Sequence, residues 1–232
     1  MHFSDLPERI ADVRGRIAAA LARGGRSHEV RIVAVTKTHG ADAVLAAHAA
    51  GIDDVGENKV QEAVRKLDEV EAQGEACRGI RWHLIGHLQT NKAKALTRFA
   101  LFHALDRDGL VSAADAVGRR EGKAIDVLVQ VNVSGEESKG GYAPTALPEL
   151  AERLHGTEGL RVRGVMTMAP LDADERTLRT VFGGARSALE VLRAAGHTAS
   201  ELSMGMSGDY EVAVEEGATI VRLGTVLFGA RS

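Results

Sequence analysis

The chain has 232 residues, of which 44% are apolar and 26% charged, with a formal net charge of −3. This supports a sizeable core and gives no electrostatic case for nucleic acid or an anionic membrane, and 3% aromatics offer no stacking surface for single strands. Cys77 is the single cysteine, so an intramolecular disulfide is excluded; with no apolar signal core in Met1-His2-Phe3-Ser4-Asp5 and no bilayer-length apolar run, the expected location is the cytoplasm.

The chain opens with a helix in which Asp5 and Glu8 have capping-box spacing and Pro7 sits in the first turn. Ile10, Val13, Ile17 and Leu21 share one face, and Gly24-Gly25 ends it. A buried strand follows, Arg31-Ile32-Val33-Ala34-Val35, and Lys37 stands just past its carboxyl end. Ala41 to Ala50 reads as a helix and Ile52 to Val55 as a second strand. Val60 to Gln73 is helical, with Val60, Val64, Leu67 and Val70 as its stripe. Arg81 to Ile85 is the third strand, followed by a helix over Thr90 to Arg98. Ala100 to Leu105 is the fourth strand, with a helix over Gly109 to Arg120. The fifth strand runs from Ile125 to Val133 and leads to a polar loop, Ser134 to Gly141. Leu147 to His155 is helical, and Leu160 to Met168 is the sixth strand. A long helix then puts Leu178, Val181, Phe182, Ala185, Leu189 and Leu192 on one face, with Gly183-Gly184 placed for close packing. The seventh strand, Glu201 to Ser203, leads into Met204-Gly205-Met206-Ser207-Gly208. A short helix, Tyr210 to Glu216, precedes the eighth strand, Thr219 to Leu223, then Gly224-Thr225 and a last helical turn.

Eight strands alternating with helices predict a parallel sheet closed into a (β/α)8 barrel with an extra N-terminal helix, one domain over residues 1–232. Such barrels carry their sites at the carboxyl ends of the strands. A strand-end lysine ordinarily packs its stem and extends its ammonium to water. Here, two glycine-bearing loops follow strands seven and eight, where barrels often bind phosphate: Gly205, Ser207 and Gly208 in one, Gly224 and Thr225 in the other. Arg222, near the end of strand eight, is placed to point into the mouth. Asn58, His83 and Asn132 add polar groups near other strand ends. His83 and His87 have zinc-like spacing, but no glutamate completes a motif, so no metal is expected. A lysine facing a phosphate cup suits pyridoxal 5′-phosphate, with Arg222 on the pyridine nitrogen. It equally suits a phosphorylated substrate captured as an imine, as in an aldolase, and spacing leaves both open.

Six blocks of sequence, in order, carry a resemblance. They include Val33-Ala34-Val35-Thr36-Lys37-Thr38, Gly56-Glu57-Asn58-Lys59-Val60-Gln61-Glu62, Trp82-His83-Leu84-Ile85-Gly86-His87, Gly164-Val165-Met166-Thr167-Met168-Ala169-Pro170, Leu202-Ser203-Met204-Gly205-Met206-Ser207 and Val221-Arg222-Leu223-Gly224-Thr225. In these the chain resembles the YggS/PROSC family of pyridoxal phosphate homeostasis proteins, related to the barrel domain of alanine racemase. The resemblance implies Lys37 as a Schiff-base lysine and Ser207, Gly224 and Thr225 as the phosphate cup. It also implies Arg222 at the pyridine nitrogen, with Asn58, His83 and Met204 beside the ring. Thr36 stands where many relatives have serine, His39-Gly40 where they have lysine-proline, and Gly208 where an acidic residue is common.

The family resemblance further implies a cofactor-holding protein without established turnover. Alanine racemase takes its second base, a tyrosine, from an added β domain, and this chain ends just past strand eight. Tyr142 and Tyr210 are its only tyrosines, and neither follows from the motif as a second base. The expected role is therefore intracellular storage and delivery of pyridoxal phosphate by a monomer, with transient apo-enzyme partners. A weak amino-acid racemase, or another Schiff-base enzyme using Lys37, is the alternative. The polar loop from Glu136 to Gly141, beside the mouth, is expected to move as a lid when the cofactor leaves.

Overall fold

Short runs rich in valine, isoleucine and leucine are what a sheet covered on both sides requires. The structure, a computed structural model, describes residues 3–136 and 139–229. Its strands are β1 Arg31–Val35, β2 Asp54–Glu57, β3 Arg81–Leu84, β4 Leu101–Leu105, β5 Ile125–Gln130, β6 Leu160–Met166, β7 Glu201–Ser203 and β8 Ile220–Leu223. Each pairs in parallel with its neighbour in sequence, and β8 closes on β1 in the register Arg31↔Ile220 to Ala34↔Leu223. The fold is the eight-stranded barrel that the alternation predicts.

The helices are α1 Leu6–Arg23, α2 Ala41–Ala49, α3 Val60–Glu71, α4 Asp108–Arg120, α5 Leu147–His155, α6 Glu175–Ala194, α7 Tyr210–Glu215 and α8 Thr225–Phe228. In α1, Leu6, Ile10, Val13, Ile17 and Ala20 are buried, a stripe of helical period. Its outer edge is tied to α7 by Arg23 on Glu215 at 2.6 Å and on Glu211 at 3.0 Å. The six apolar residues expected on one face of α6 are all buried. Among the described residues, no helix is long and apolar enough to cross a membrane.

Three local expectations are corrected. Asp5 makes no side-chain cap; it has a helical backbone and its carboxylate takes the Ser4 hydroxyl at 2.8 Å. The helix with a side-chain cap is α6, where Asp174 accepts from the Thr177 N–H at 2.8 Å. Thr90–Arg98 is a 3₁₀ helix, whose three-residue period matches the burial of Ala93, Leu96 and the adjoining Phe99. β5 stops at Gln130: the Val131 N–H still donates to the Met166 carbonyl of β6 at 2.9 Å, but Asn132 turns to other partners, its N–H to the Tyr142 carbonyl at 2.9 Å and its side chain to the following loop. The Asn132 amide donates to the carbonyls of Glu136 at 2.9 Å and Lys139 at 2.8 Å. Glu137 and Ser138, in the loop expected to act as a lid, lie outside the described residues.

Close approach explains one of the paired glycines in α6. A Cβ on Gly184 would lie 2.4 Å from Val133 Cγ1, inside any tolerable contact, whereas Gly183 meets nothing nearer than 4.0 Å. Alanine gains at most about 1 kcal/mol of helix propensity, and overpacking costs about 1–3 kcal/mol. Gly184→Ala is therefore expected to lower the urea midpoint, and adding Val133→Ala to recover most of the loss; a Gly184→Ala protein more stable than wild type would contradict the steric account.

Candidate functional site

At the carboxyl end of the barrel the strands open into a cavity of about 350 Å³, within the range that holds small cofactors. Its wall takes Lys37 from the loop after β1, Asn58 from the end of β2 and Arg222 from β8. Ser207 and Gly208 come from the loop after β7, and Gly224 and Thr225 from that after β8. Met168, Pro170, Leu171 and Leu178 supply the apolar side.

Lys37 is placed by a backbone held from several directions. Next to it Thr38 has φ +72°, a left-handed conformation that a β-branched residue adopts only under constraint. Its N–H donates to Glu62 Oε1 at 3.1 Å. On the other side, the Thr36 carbonyl accepts from Lys66 Nζ at 2.8 Å. Lys66 is a fully buried lysine on the core-facing side of α3, and its ammonium also meets Glu57 Oε1 at 2.5 Å. The Thr36 hydroxyl donates to the same oxygen at 2.6 Å. The His39 ring, two residues beyond Lys37, rests 5.2 Å from the Phe228 ring, which ties this loop to α8.

Arg222 is 5% exposed, with its guanidinium reaching across the barrel mouth. Nη1 donates to Ser203 Oγ at 2.7 Å and Nη2 to the Thr167 carbonyl at 2.9 Å. Both acceptors are neutral, so this cation is buried without a hydrogen-bonded carboxylate, and burial pushes its pKa down to about 10. It stays charged at neutral pH and favours an electron-rich group in the cavity. In the cup, Ser207 Oγ accepts the Val226 N–H at 3.2 Å, which keeps its own hydrogen available to a ligand. Gly208 faces open space, and the Thr225 hydroxyl is exposed to the cavity. Asp209 closes one side; burial raises its pKa, opposed by the Met206 N–H and the Arg222 charge.

Six of the eight residues singled out from sequence thus share one wall: Lys37, Asn58, Ser207, Arg222, Gly224 and Thr225. His83 and Met204 do not line it. Met204 is fully buried in the core after β7. His83, third in β3, turns into the barrel, where Nε2 meets Asp54 Oδ1 at 2.8 Å and Nδ1 meets His103 Nε2 at 2.9 Å. His87 bonds to Asp106 at 2.7 Å. Neither Tyr142, which donates to Asp108 at 2.8 Å, nor the buried Tyr210 lines the cavity. A larger depression of about 900 Å³ lies at the amino ends of the strands, where arginines already hold carboxylates, Arg31 on Glu201 at 3.1 Å, Arg186 on Glu216 at 2.8 Å and Arg193 on Glu190 at 2.7 Å, and Arg26 holds the Glu215 backbone carbonyl.

Sequence reasoning passed over Glu57, Lys66, Ser203 and His103. The available signal for Lys66 was its place between Ala63, Leu67 and Val70 on the buried stripe. Removing one partner of a buried pair leaves an uncompensated charge, at a cost of about 3–5 kcal/mol. Lys66→Met is expected to destabilise by that order in urea unfolding, and Lys66→Met with Glu57→Gln to recover part of it; equal stability of Lys66→Met and wild type would show that the pair does not matter.

The sequence profile of the family described as "Alanine racemase, N-terminal domain" matches residues 14–232. A relative from Pseudomonas aeruginosa, named pyridoxal phosphate homeostasis protein, is 41% identical over 231 residues, covering 99% of this chain and 97% of its own. A relative of the same name from Aquifex aeolicus is 40% identical over 230 residues, covering 97% of each. Among solved structures, PipY of Synechococcus elongatus with pyridoxal phosphate bound superposes with a TM-score of 0.85 at 33% identity, covering 97% of this chain and 100% of PipY. Likeness at this level, over nearly the whole length and across the strands that build the cavity, shows that the chain belongs to the family of pyridoxal phosphate homeostasis proteins, built on the alanine racemase N-terminal fold.

Proposed function

We propose that this protein binds pyridoxal 5′-phosphate through Lys37 and takes part in its storage and delivery in the cytoplasm, without turning over amino acids. The observation that carries the reading is one wall bearing Lys37, the buried Arg222 and the two glycine-bearing loops of the cup. The family and the pyridoxal phosphate in PipY support it.

The residues present fit that group. The donor set is the one a pyridine ring and a phosphate ask for: a cation hydrogen-bonded only to neutral acceptors, a serine hydroxyl free to donate, an exposed threonine and an open glycine. When bound, pyridoxal phosphate supplies an aldehyde that an amine captures as a Schiff base with loss of water. Lys37 is the amine in this reading, presented by the strained turn at Thr38. Ser207, Thr225 and the backbone at Gly224 would hold the phosphate. Arg222, charged at neutral pH, would donate to the pyridine nitrogen and keep it unprotonated, making the ring a weaker electron sink than an aspartate partner would. Asn58 would border the ring. His83 and Met204 would then act from behind the wall.

What surrounds Lys37 supports holding rather than turnover. Racemisation needs a second base across the substrate, and both tyrosines lie elsewhere, one committed to Asp108 and one buried. The wall contains Asp209, whose carboxyl is fixed to the Met206 N–H at 2.5 Å. Delivery to apo-enzymes would use the same open mouth.

With pyridoxal phosphate added, the purified protein should show an absorbance band at the edge of the visible that borohydride removes, and Lys37→Ala should lose it while unfolding as cooperatively as wild type. A band that survives the substitution would overturn the role of Lys37. Alanine racemisation abolished by Lys37→Ala would overturn the holding role in favour of an enzyme.

A further inference from the structure

A line of polar side chains crosses the barrel interior beneath the cavity, where such folds ordinarily stack branched apolar residues. It starts at Arg222 on β8, whose Nη1 lies 2.7 Å from Ser203 Oγ on β7. Ser203 Oγ lies 2.8 Å from His103 Nδ1 on β4. His103 Nε2 lies 2.9 Å from His83 Nδ1 on β3, and His83 Nε2 lies 2.8 Å from Asp54 Oδ1 on β2. Arg81 grips the carboxylate of Asp54 from the amino end of the barrel. Ser203, His103, His83, Asp54 and Arg222 are all at most 5% exposed. Burying five polar groups in a row costs more than an apolar core unless each is satisfied.

Only one arrangement of hydrogens satisfies them all. Asp54 is ionised at neutral pH, its pKa held at about 2 by hydrogen bonds from Arg81 and His83 against the cost of burial, so it only accepts. His83 therefore donates through Nε2. His103 is fully buried, and burial together with the nearby His83 and Arg222 holds its imidazole well below the usual range, so it is neutral, with one donor and one acceptor nitrogen. If its hydrogen were on Nδ1, His83 would have to donate through both nitrogens, and Ser203, already accepting from Arg222 and His103, would have a buried hydrogen with no acceptor. With the hydrogen on Nε2, each group donates to the next: Arg222 to Ser203, Ser203 to His103, His103 to His83 and His83 to Asp54.

We propose that Asp54, His83, His103 and Ser203 are positioning residues that form a one-way hydrogen-bond chain and fix the guanidinium of Arg222 in the cavity wall. The chain commits the only hydrogen of Ser203 to His103, so Ser203 presents Arg222 with lone pairs alone. Together with the Thr167 carbonyl at 2.9 Å, this holds the guanidinium plane at two points. The negative end of the chain lies at Asp54 and the positive end at Arg222, so the line of dipoles also favours the charged form of the arginine that burial opposes. For ligand binding the inference rests on reading the cavity as a pyridoxal phosphate site; for the orientation of Arg222 it does not.

The test begins on the cofactor-free protein. Nitrogen-15 spectra should place the His103 hydrogen on Nε2 and show slow rotation of the Arg222 guanidinium, with its Nη hydrogens resolved. Ser203→Ala, a change too small to threaten folding, should merge those resonances. His103→Leu should do the same, and His103→Gln, which keeps a donor and an acceptor, should restore them. A hydrogen on His103 Nδ1, or an unchanged guanidinium in Ser203→Ala, overturns the proposal. With pyridoxal phosphate added, Ser203→Ala should weaken binding about tenfold and shift the absorbance band while Lys37 still reacts. If wild type and Ser203→Ala bind alike, positioning fails and the cofactor reading stands. If wild type binds none, the cofactor reading fails, and the guanidinium spectra still decide whether the chain orients Arg222.

Discussion

Closure of β8 onto β1 is the constraint on which the site depends. The register that pairs Val33 with Arg222 and Ala34 with Leu223 brings a lysine near residue 40 and an arginine near residue 220 into one wall. The loops that carry Ser207 and Thr225 follow β7 and β8, so they stand beside Arg222 for the same reason. A slip of one residue in that pairing would exchange the inward and outward faces of β8 and take Arg222 out of the mouth. Parallel ladders hold the register because most strand residues are buried on both faces, by side chains inside and helices outside.

The barrel uses buried charge unusually freely around this wall. Lys66 and Glu57 sit fully buried behind Lys37, and Arg222 lies over a line of polar groups ending at Asp54. Apolar residues of like volume would often be no less stable in such places. What they could not do is hold the Thr36 carbonyl from behind, or fix a guanidinium by its hydrogens. The strained φ of Thr38 and the burial of Arg222 on neutral hydrogen-bond acceptors are both costs, and both lie at the mouth. These costs fall at the cavity wall that carries Lys37 and Arg222, and they are offset by the apolar packing of α1, α3 and α6.

Much of the architecture was legible because its signals are local. The stripe on α6 needs only a period of 3.6, and all six of its residues are buried as read. The alternation of strands and helices predicted the barrel, and the glycine-bearing loops after β7 and β8 were read as lying at its mouth, where they line the cavity. Strand ends and caps were less legible, since they are decided by which partner a backbone group finds. Asp5 has the right spacing for a cap and makes none, whereas β5 ends early because Asn132 is drawn into the next loop. The histidines show the same limit: His83 sits near a strand end in sequence, yet its direction is set by Asp54 and His103, which come from neighbouring strands.

By itself, the sequence determined the order of elements, the family motifs and the identity of the groups that could do chemistry, because periodicity, glycine and charge are properties of the chain before it folds. Only the tertiary structure decided which of those groups meet. Lys37, Asn58, Ser207, Arg222, Gly224 and Thr225 share a wall because barrel closure brings together residues far apart in the chain. Lys66 and His103 gained their places because a buried polar atom must find a partner, and that partner lies on another element: Glu57 for one, Ser203 and His83 for the other.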